Sequence, residues 1–412
     1  MHDDGSLAFP HDPWPLPPSE AEESELVAQR RDDISIRGRT GPIAEFEDEF
    51  KAFLDDRVEH AITFNSGTSA LQAAYFALGA RRGTAVLGPA LTYHAALSPA
   101  FSLGADVLLA DIEPDSRCIS FDSAERVIAE ANCRVLTVVH QWGRPADMHR
   151  ATEFAEKHGL KLLEDCSHAH GSKYRGRPVG TFGDAAVFSL QANKAVFAGE
   201  GGILVTNDET VVDRATLVGH YRDRSRSQVH DPQLREYWST GFGLKTRMSP
   251  FNAIVAKHSL HAFANRMKWR HQWLERLNST LARTRNFEAL DIPSEIDMGA
   301  WYGFKPLIRR EAYETVGRDR IVEMMRARYM DVSAPSGGVL LDQPLYSSKT
   351  HTWTQAPAVA QTPASELSAA YDIAARALSF PTFHRPTDGS LIDHYDRELR
   401  TVDTAIERLK NV

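Results

Sequence analysis

A chain of 412 residues is long for one compact core, so two domains are expected. Apolar and charged fractions of 42% and 25% are those of a soluble globular protein, and a formal net charge of −8 argues against nucleic acid as a partner. Three cysteines without metal-ligand spacing, no secretory leader pattern and no apolar run of membrane-spanning length together predict a cytoplasmic protein with reduced thiols and no membrane association.

Residues 1–24 hold five prolines, six acids and no Lys or Arg, which predicts an extended arm. Apolar residues at Ile43, Phe46, Phe50, Phe53 and Leu54 have helical spacing. Ala61–Phe64 reads as a short strand, Asn65-Ser66-Gly67-Thr68-Ser69 as a turn, and Ala70 to about Leu78 as a helix. That succession suits an anion, because glycine admits a close approach and free N–H groups point out of the first helical turn. An ordinary helix capped by Ser or Thr reads the same way.

Further short apolar runs lie at Ala85–Gly88, Val107–Ala110, Val135–Val139, Leu160–Glu164, Ala185–Leu190 and Ile203–Thr206, with helical patterns between them. Alternation of this kind predicts an α/β fold with a mostly parallel sheet covered on both faces. Ligands bind beyond the carboxyl ends of such strands. Gly67–Ser69, Tyr93 and Asp165 each come just after a strand, which points to one shared site.

Two charges stand out. Asp165 ends a strand, where it either caps the next turn or faces a ligand. Lys194 sits in a loop of Ala, Asn, Val, Phe and Gly, a setting that desolvates an amine and frees its neutral, nucleophilic form. His168 and His170 lack a metal-binding companion set, so no metal is expected. The basic clusters Arg222–Arg226 and Arg266–Arg270 read as solvated faces, and Gly219–Arg235 as a long surface loop. A long helix is expected at about 251–283, helices at Thr315–Arg328 and Asp403–Leu409, and a strand at Ala300–Ile308.

The segments EDCSHAHGSKYRGRPVGTFGDAAVFSLQANK (164–194), AGEGGILVTND (198–208), NSGTSALQAAYFALGA (65–80) and VVHQWGRPADM (138–148) occur in an order that resembles the DegT/DnrJ/EryC1/StrS aminotransferases. KTRMSP (245–250) and SFPTFH (379–384) fit more weakly. The resemblance implies the aspartate-aminotransferase-like fold (fold type I). A large domain with a mostly parallel seven-stranded sheet would span 25–285, the 251–283 helix included, and a smaller C-terminal α/β domain would span 286–412. It implies pyridoxal 5′-phosphate (PLP) as cofactor, with Lys194 as its Schiff-base lysine and Asp165 as the partner of its pyridinium nitrogen. Gly67, Thr68, Ser69 and Ser189 would hold the phosphate. Tyr93 would stack on the ring, and His168 would lie near the phenolic oxygen. Lys245 would reach the partner subunit's cofactor phosphate across a homodimer. At Thr246 the family usually has an aromatic, so this stretch departs from the pattern. The implied activity moves an amino group from an amino acid, glutamate or glutamine, to a keto sugar or keto cyclitol. Segment 331–350 matches the family poorly and lies where substrate-facing loops are expected. Two alternatives stand beside this: sugar dehydration, whose related enzymes carry histidine at the lysine position, so that Lys194 weighs against it, and a non-catalytic regulator, which loss of the lysine or the acid would suggest, and neither is lost.

Overall fold

The structure is a computed structural model and describes residues 14, 17–128, 131–347 and 362–410. Seven strands form the central sheet: β1 (His60–Phe64), β2 (Ala85–Pro89), β3 (Asp106–Ala110), β4 (Cys133–Val139), β5 (Lys161–Asp165), β6 (Ala185–Ser189) and β7 (Gly202–Thr206). Their spatial order is β1-β7-β6-β5-β4-β2-β3. Every neighbouring pair is parallel except the two made by β7. Strands β1, β2, β4, β5 and β6 therefore run in one direction and end along one edge, where β7 begins.

The strands are mostly apolar and buried because both faces are covered, with charged residues falling mainly at their ends. Side chains alternate across the sheet. Leu87, Leu136, Leu162 and Phe188 face one core layer, whereas Val86, Val135, Leu163 and Val187 face the other. Helices Gly41–Phe53 and Pro250–His261 cover the first face through Ile43, Phe46, Phe50, Ala253 and Ala256. Helices Gly67–Ala77 and Glu209–Gly219 cover the second through Leu71, Tyr75, Val211 and Ala215.

A third core gathers Trp273, Leu277, Phe287, Phe304, Ile308, Ile321, Phe380, Tyr395 and Leu399. Helix Phe263–Leu281 joins it to the sheet: Phe263 and Met267 pack on the first layer, Trp273 to Leu281 on the third core. Leu340, Tyr346, Ala370 and Ile373, late in the chain, pack back on the second face of the sheet.

Several sequence expectations change. The helix expected at 251–283 is two helices meeting at Ala262 (φ −82°, ψ −6°). Neither proline nor glycine turns the chain there. Instead the Arg266 guanidinium donates to the Ser259 carbonyl at 2.7 Å, a side chain inserted where the helical ladder would run. The helix expected at Thr315–Arg328 is likewise two, Arg310–Val316 and Arg318–Arg326, divided by Gly317 at φ 83°. Between Ala300 and Ile308 only Leu307–Ile308 is regular strand, because Pro306 can donate nothing to a ladder. Within the N-terminal arm, residues 1–13 and 15–16 lie outside the described residues. The chain is helical from Glu20, with Ser19 capping the Glu22 N–H. Trp14 packs edge-on against Phe197 and His384 and donates its indole N–H to Ala192 O at 2.9 Å.

The basic clusters are not simply solvated faces. Arg266 and Arg270 are buried, and Arg224 is 1% exposed. Segment 219–235 contains helices Asp223–Gln228 and Pro232–Arg235. Arg224 makes a two-pronged pair with Glu47 at 2.7 and 3.0 Å. Glu47 also accepts from the Thr63 N–H and hydroxyl and from Arg39 Nε. A fully buried cation is tolerable in such a setting because every lone pair of its carboxylate partner is used.

Candidate active site

A cleft of about 720 Å³ opens at the carboxyl edge of the sheet, within the usual size of small-molecule sites. Its floor is made of the residues just past the strand ends: Ser66, Gly67 and Thr68 after β1, Thr92 and Tyr93 after β2, and Gln141 and Trp142 after β4. Asp165, Ser167 and His168 come from the β5 region, and Ser189, Gln191 and Lys194 from that of β6. The opposite wall comes from Tyr302, Lys305, segment 333–338, Ala377 and Ser379. Most of the residues singled out from sequence are thus brought together by the strand order.

The helix after β1 begins at Gly67, three residues earlier than its apolar pattern suggests. Ser66 is the N-cap: its Oγ accepts from the Ser69 N–H at 3.0 Å and lies 2.8 Å from Ser69 Oγ. A Cβ at Gly67 would stand 2.8 Å from the Ser189 Cβ, so only glycine lets this helix start approach the end of β6. A helix N-terminus beside two strand-end hydroxyls is a site for an anion. Thr68 lines the cleft, whereas Ser69 turns its hydroxyl to Ser66.

Asp165 is 5% exposed. Its Oδ1 accepts from the Ser167 N–H at 2.9 Å, which leaves the other oxygen for a partner in the cleft. Burial lowers the Lys194 pKa to about 8, with Asp165 acting in the opposite sense. The Lys194 ammonium lies 4.4 Å from the Tyr302 ring centroid. Tyr302 in turn stacks on His168 at 4.2 Å and 7°. Burial, then the positive charges of Lys194 and Lys305, hold the His168 pKa well below its usual value, and its Nδ1 has no partner among the described residues. A neutral imidazole with an unused nitrogen in a cleft can hydrogen-bond a ligand. Tyr93 is 61% exposed at the mouth.

Lys245 stands apart. It is exposed and does not line the cleft of its own chain. Its neighbour Thr246 accepts from the Asn65 N–H at 2.7 Å, so the segment is pinned beside the end of β1.

Ser66, Gln141, Tyr302, Lys305 and Ser379 are site residues that the sequence did not single out individually. Ser379 lay within SFPTFH, and Gln141 and Trp142 within VVHQWGRPADM. Tyr302 and Lys305 lie in an irregular segment where no periodicity marks a direction. One group has the residue types of a metal site: His140, Glu164 and Cys166, all buried with potential ligand atoms within 4.8 Å. Glu164 is already fully used, by His140 Nε2 at 3.2 Å and by the N–H groups of Gly180, Phe182 and Gly183. Although burial opposes it, those donors hold its pKa below the usual carboxylate value.

The cleft fits PLP on its own chemistry: an anion cradle at Gly67–Thr68, an available carboxylate oxygen, a neutral histidine with a free nitrogen and a desolvated lysine. The family model for the DegT/DnrJ/EryC1/StrS aminotransferases matches residues 19–393. The chain is 35% identical over 233 residues to GDP-perosamine synthase of Escherichia coli O157:H7, covering 57% of this chain and 61% of that one. It is 35% identical over 251 residues to L-glutamine:scyllo-inosose aminotransferase of Streptomyces griseus, covering 59% and 58%. The matches thus span about three-fifths of these relatives' lengths. In fold it is similar to a Streptococcus pneumoniae chain assigned as a sugar aminotransferase and solved in its PLP form, with a TM-score of 0.79 at 19% identity over 97% of this chain and 99% of that one. Sheet order, cleft and sequence match agree, and the chain belongs to the DegT/DnrJ/EryC1/StrS aminotransferase family.

Proposed function

We propose that this chain is a PLP-dependent aminotransferase that moves an amino group from glutamine or glutamate to a keto sugar or keto cyclitol. The observation that carries the reading is the placement of a desolvated Lys194 and a strand-end Asp165 in one cleft. The substrate classes are supported by the names of the relatives, one a GDP-perosamine synthase and one a glutamine-dependent cyclitol aminotransferase.

PLP, when bound, supplies an aldehyde for an amine and a ring that accepts electrons. The chain does the rest. Gly67, Thr68 and Ser189 would hold the phosphate through backbone N–H groups and hydroxyls, whereas Ser69, whose N–H and hydroxyl both engage Ser66, would only pin the helix start. The Asp165 carboxylate keeps the ring nitrogen protonated by opposite charge in a poorly solvated cleft. His168, neutral, hydrogen-bonds without adding charge, and Tyr93 covers the ring face at the mouth. Lys194 Nζ would hold the cofactor aldehyde and would serve as the base and acid for the proton on the reacting carbon. A pKa of about 8 suits both directions of that transfer near neutral pH. Lys245 acts in the neighbouring subunit of a two-fold homodimer, which accounts for its exposure in the isolated chain. The division into domains at 25–285 and 286–412 and a cytoplasmic location are part of the same proposal. Among the described residues no helix is long and apolar enough to cross a membrane.

The test is product formation. Purified protein with PLP, glutamine or glutamate, and a panel of keto cyclitols and nucleotide-linked 4-keto sugars should yield one aminated acceptor by mass spectrometry. The reading fails if no amine is transferred to any acceptor, or if an acceptor instead loses water.

A further inference from the structure

Lys305 is a second desolvated amine in the cleft, and neither the mechanism above nor the sequence gives it a task. Its position is set by three short antiparallel contacts: Phe304 with Phe380, Leu307 with Ala377, and Ser333 with Ser379. Phe304, Ile308, Leu378 and Phe380 point into the C-terminal core. In extended backbone the intervening side chains face the other way. Lys305 and Ser379 accordingly line the cleft. The Lys305 ammonium donates to Ser379 Oγ, and Arg117 fixes the backbone by donating to the Lys305 carbonyl. Ser379 and Ser333 exchange both backbone hydrogen bonds, at 2.7 and 3.1 Å, so the wall is held from two sides.

Lys305 also lacks a counter-ion. Among the described residues no carboxylate pairs with it, and burial alone brings its pKa down to about 8. Other partly buried lysines are paired: Lys257 with Glu25 and Glu45, Lys410 with Glu311 and Glu407. In the described lining the two lysines are Lys194 and Lys305. With Lys194 committed to the cofactor, Lys305 is the lysine left for an anionic substrate. An ammonium held in a half-dry cleft without a counter-ion is costly, and an arriving anion relieves that cost. The Ser379 hydroxyl accepts from Lys305 and keeps its own proton to donate.

We propose that Lys305 Nζ and Ser379 Oγ form the subsite for the α-carboxylate of the amino-acid donor, an inference that rests on the reading under Proposed function. Lys305 comes from the same short wall segment as Tyr302, whose ring centroid lies 4.4 Å from the Lys194 ammonium, which puts Lys305 near the reacting centre. A donor's α-carboxylate sits one bond from the reacting carbon. A diphosphate on a nucleotide-linked acceptor sits far from its keto carbon, and a keto cyclitol carries no charge.

The test compares two donor mimics bound to the holoenzyme by calorimetry. 2-Methylglutamine keeps the amine and carboxylate but has no α-proton to lose, and 4-aminobutanamide lacks the carboxylate. Lys305→Met should weaken 2-methylglutamine roughly 10- to 100-fold and leave 4-aminobutanamide unchanged. Lys305→Arg should recover part of the loss, and Ser379→Ala should cost a smaller factor. Equal affinities of wild type and Lys305→Met for 2-methylglutamine would overturn the proposal. So would a loss confined to a nucleoside diphosphate such as GDP, which would assign Lys305 to the acceptor. Failure of the broader reading shows separately, as absence of a Lys194-bound cofactor absorbance in the wild type.

Discussion

Two regions of this protein bury charge, and they treat it in opposite ways. Under β1, Arg224 and Glu47 are 1% and 0% exposed, and Glu47 takes hydrogen bonds from Arg224, Arg39 and Thr63. At the carboxyl edge of the sheet, Lys194 and Lys305 are desolvated without an ion-pair partner among the described residues, and His168 leaves Nδ1 unused. The first arrangement is closed: each charge answers another, and nothing remains for a ligand. The second is open, and its deficits are what a bound anion, carbonyl and ring nitrogen would fill. The His140–Glu164 pair, one residue from Asp165, belongs with the closed kind. Burial of charge alone does not mark a site; burial with unfilled bonding capacity does.

The contrast breaks most visibly at Lys194. Lys194→Ala should lower amino transfer by about 10²- to 10⁴-fold or more, since Lys194 is the amine that the loop after β6 brings to the cleft beside Asp165, and the other described lysine of the lining, Lys305, stands on the opposite wall. Turnover near wild type would move the chemistry elsewhere. Asp165→Asn should keep the phosphate cradle and therefore bind cofactor. It should still slow proton transfer by about 10²- to 10³-fold, because a neutral amide cannot hold a pyridinium charge. Near-normal rates would reduce Asp165 to the cap of Ser167.

On the closed side, Glu47→Gln should cost about 3–5 kcal/mol of stability by urea unfolding, as it strands the buried Arg224 charge. Cofactor absorbance per folded molecule should not change. A variant as stable as wild type would show that the two regions do not differ as described.

A milder test uses pH. In the cofactor-free chain, acylation of Lys194 by a small anhydride should rise as pH increases and reach half its maximum near pH 8. Burial disfavours the ammonium, so the reactive neutral amine is already abundant there, whereas ordinary lysines lag until near pH 10.4. A half-maximum at Lys194 matching that of surface lysines would remove the desolvation argument.

The sheet was legible because its strands are apolar on both faces and each ends at a turn. All seven lie within two residues of their sequence ranges. Asp165 and Lys194 were legible for the same reason, since strand ends bound the places where a parallel sheet can hold a ligand. Arg224 was not, because its burial depends on Glu47, 177 residues away, and local spacing alone reads as solvated charge. Tyr302 and Lys305 escaped because Gly303 and Pro306 interrupt any period around them. The direction of Lys305 into the cleft is set by the pairing of its neighbours Phe304 and Leu307 with Phe380 and Ala377 late in the chain. The junction at Ala262 escaped because an arginine side chain, not a helix breaker, interrupts the ladder.

The most direct measurement of the central claim is borohydride reduction of the PLP-loaded protein, with peptide mapping of the product. The unfilled lysine at the end of β6 is predicted to carry the cofactor. Reduction should abolish the visible absorbance and leave the mass of reduced cofactor on the peptide containing Lys194, and not on the one containing Lys305. A tag on Lys305, or protein that stays colourless with PLP and acquires no tag, would contradict the account.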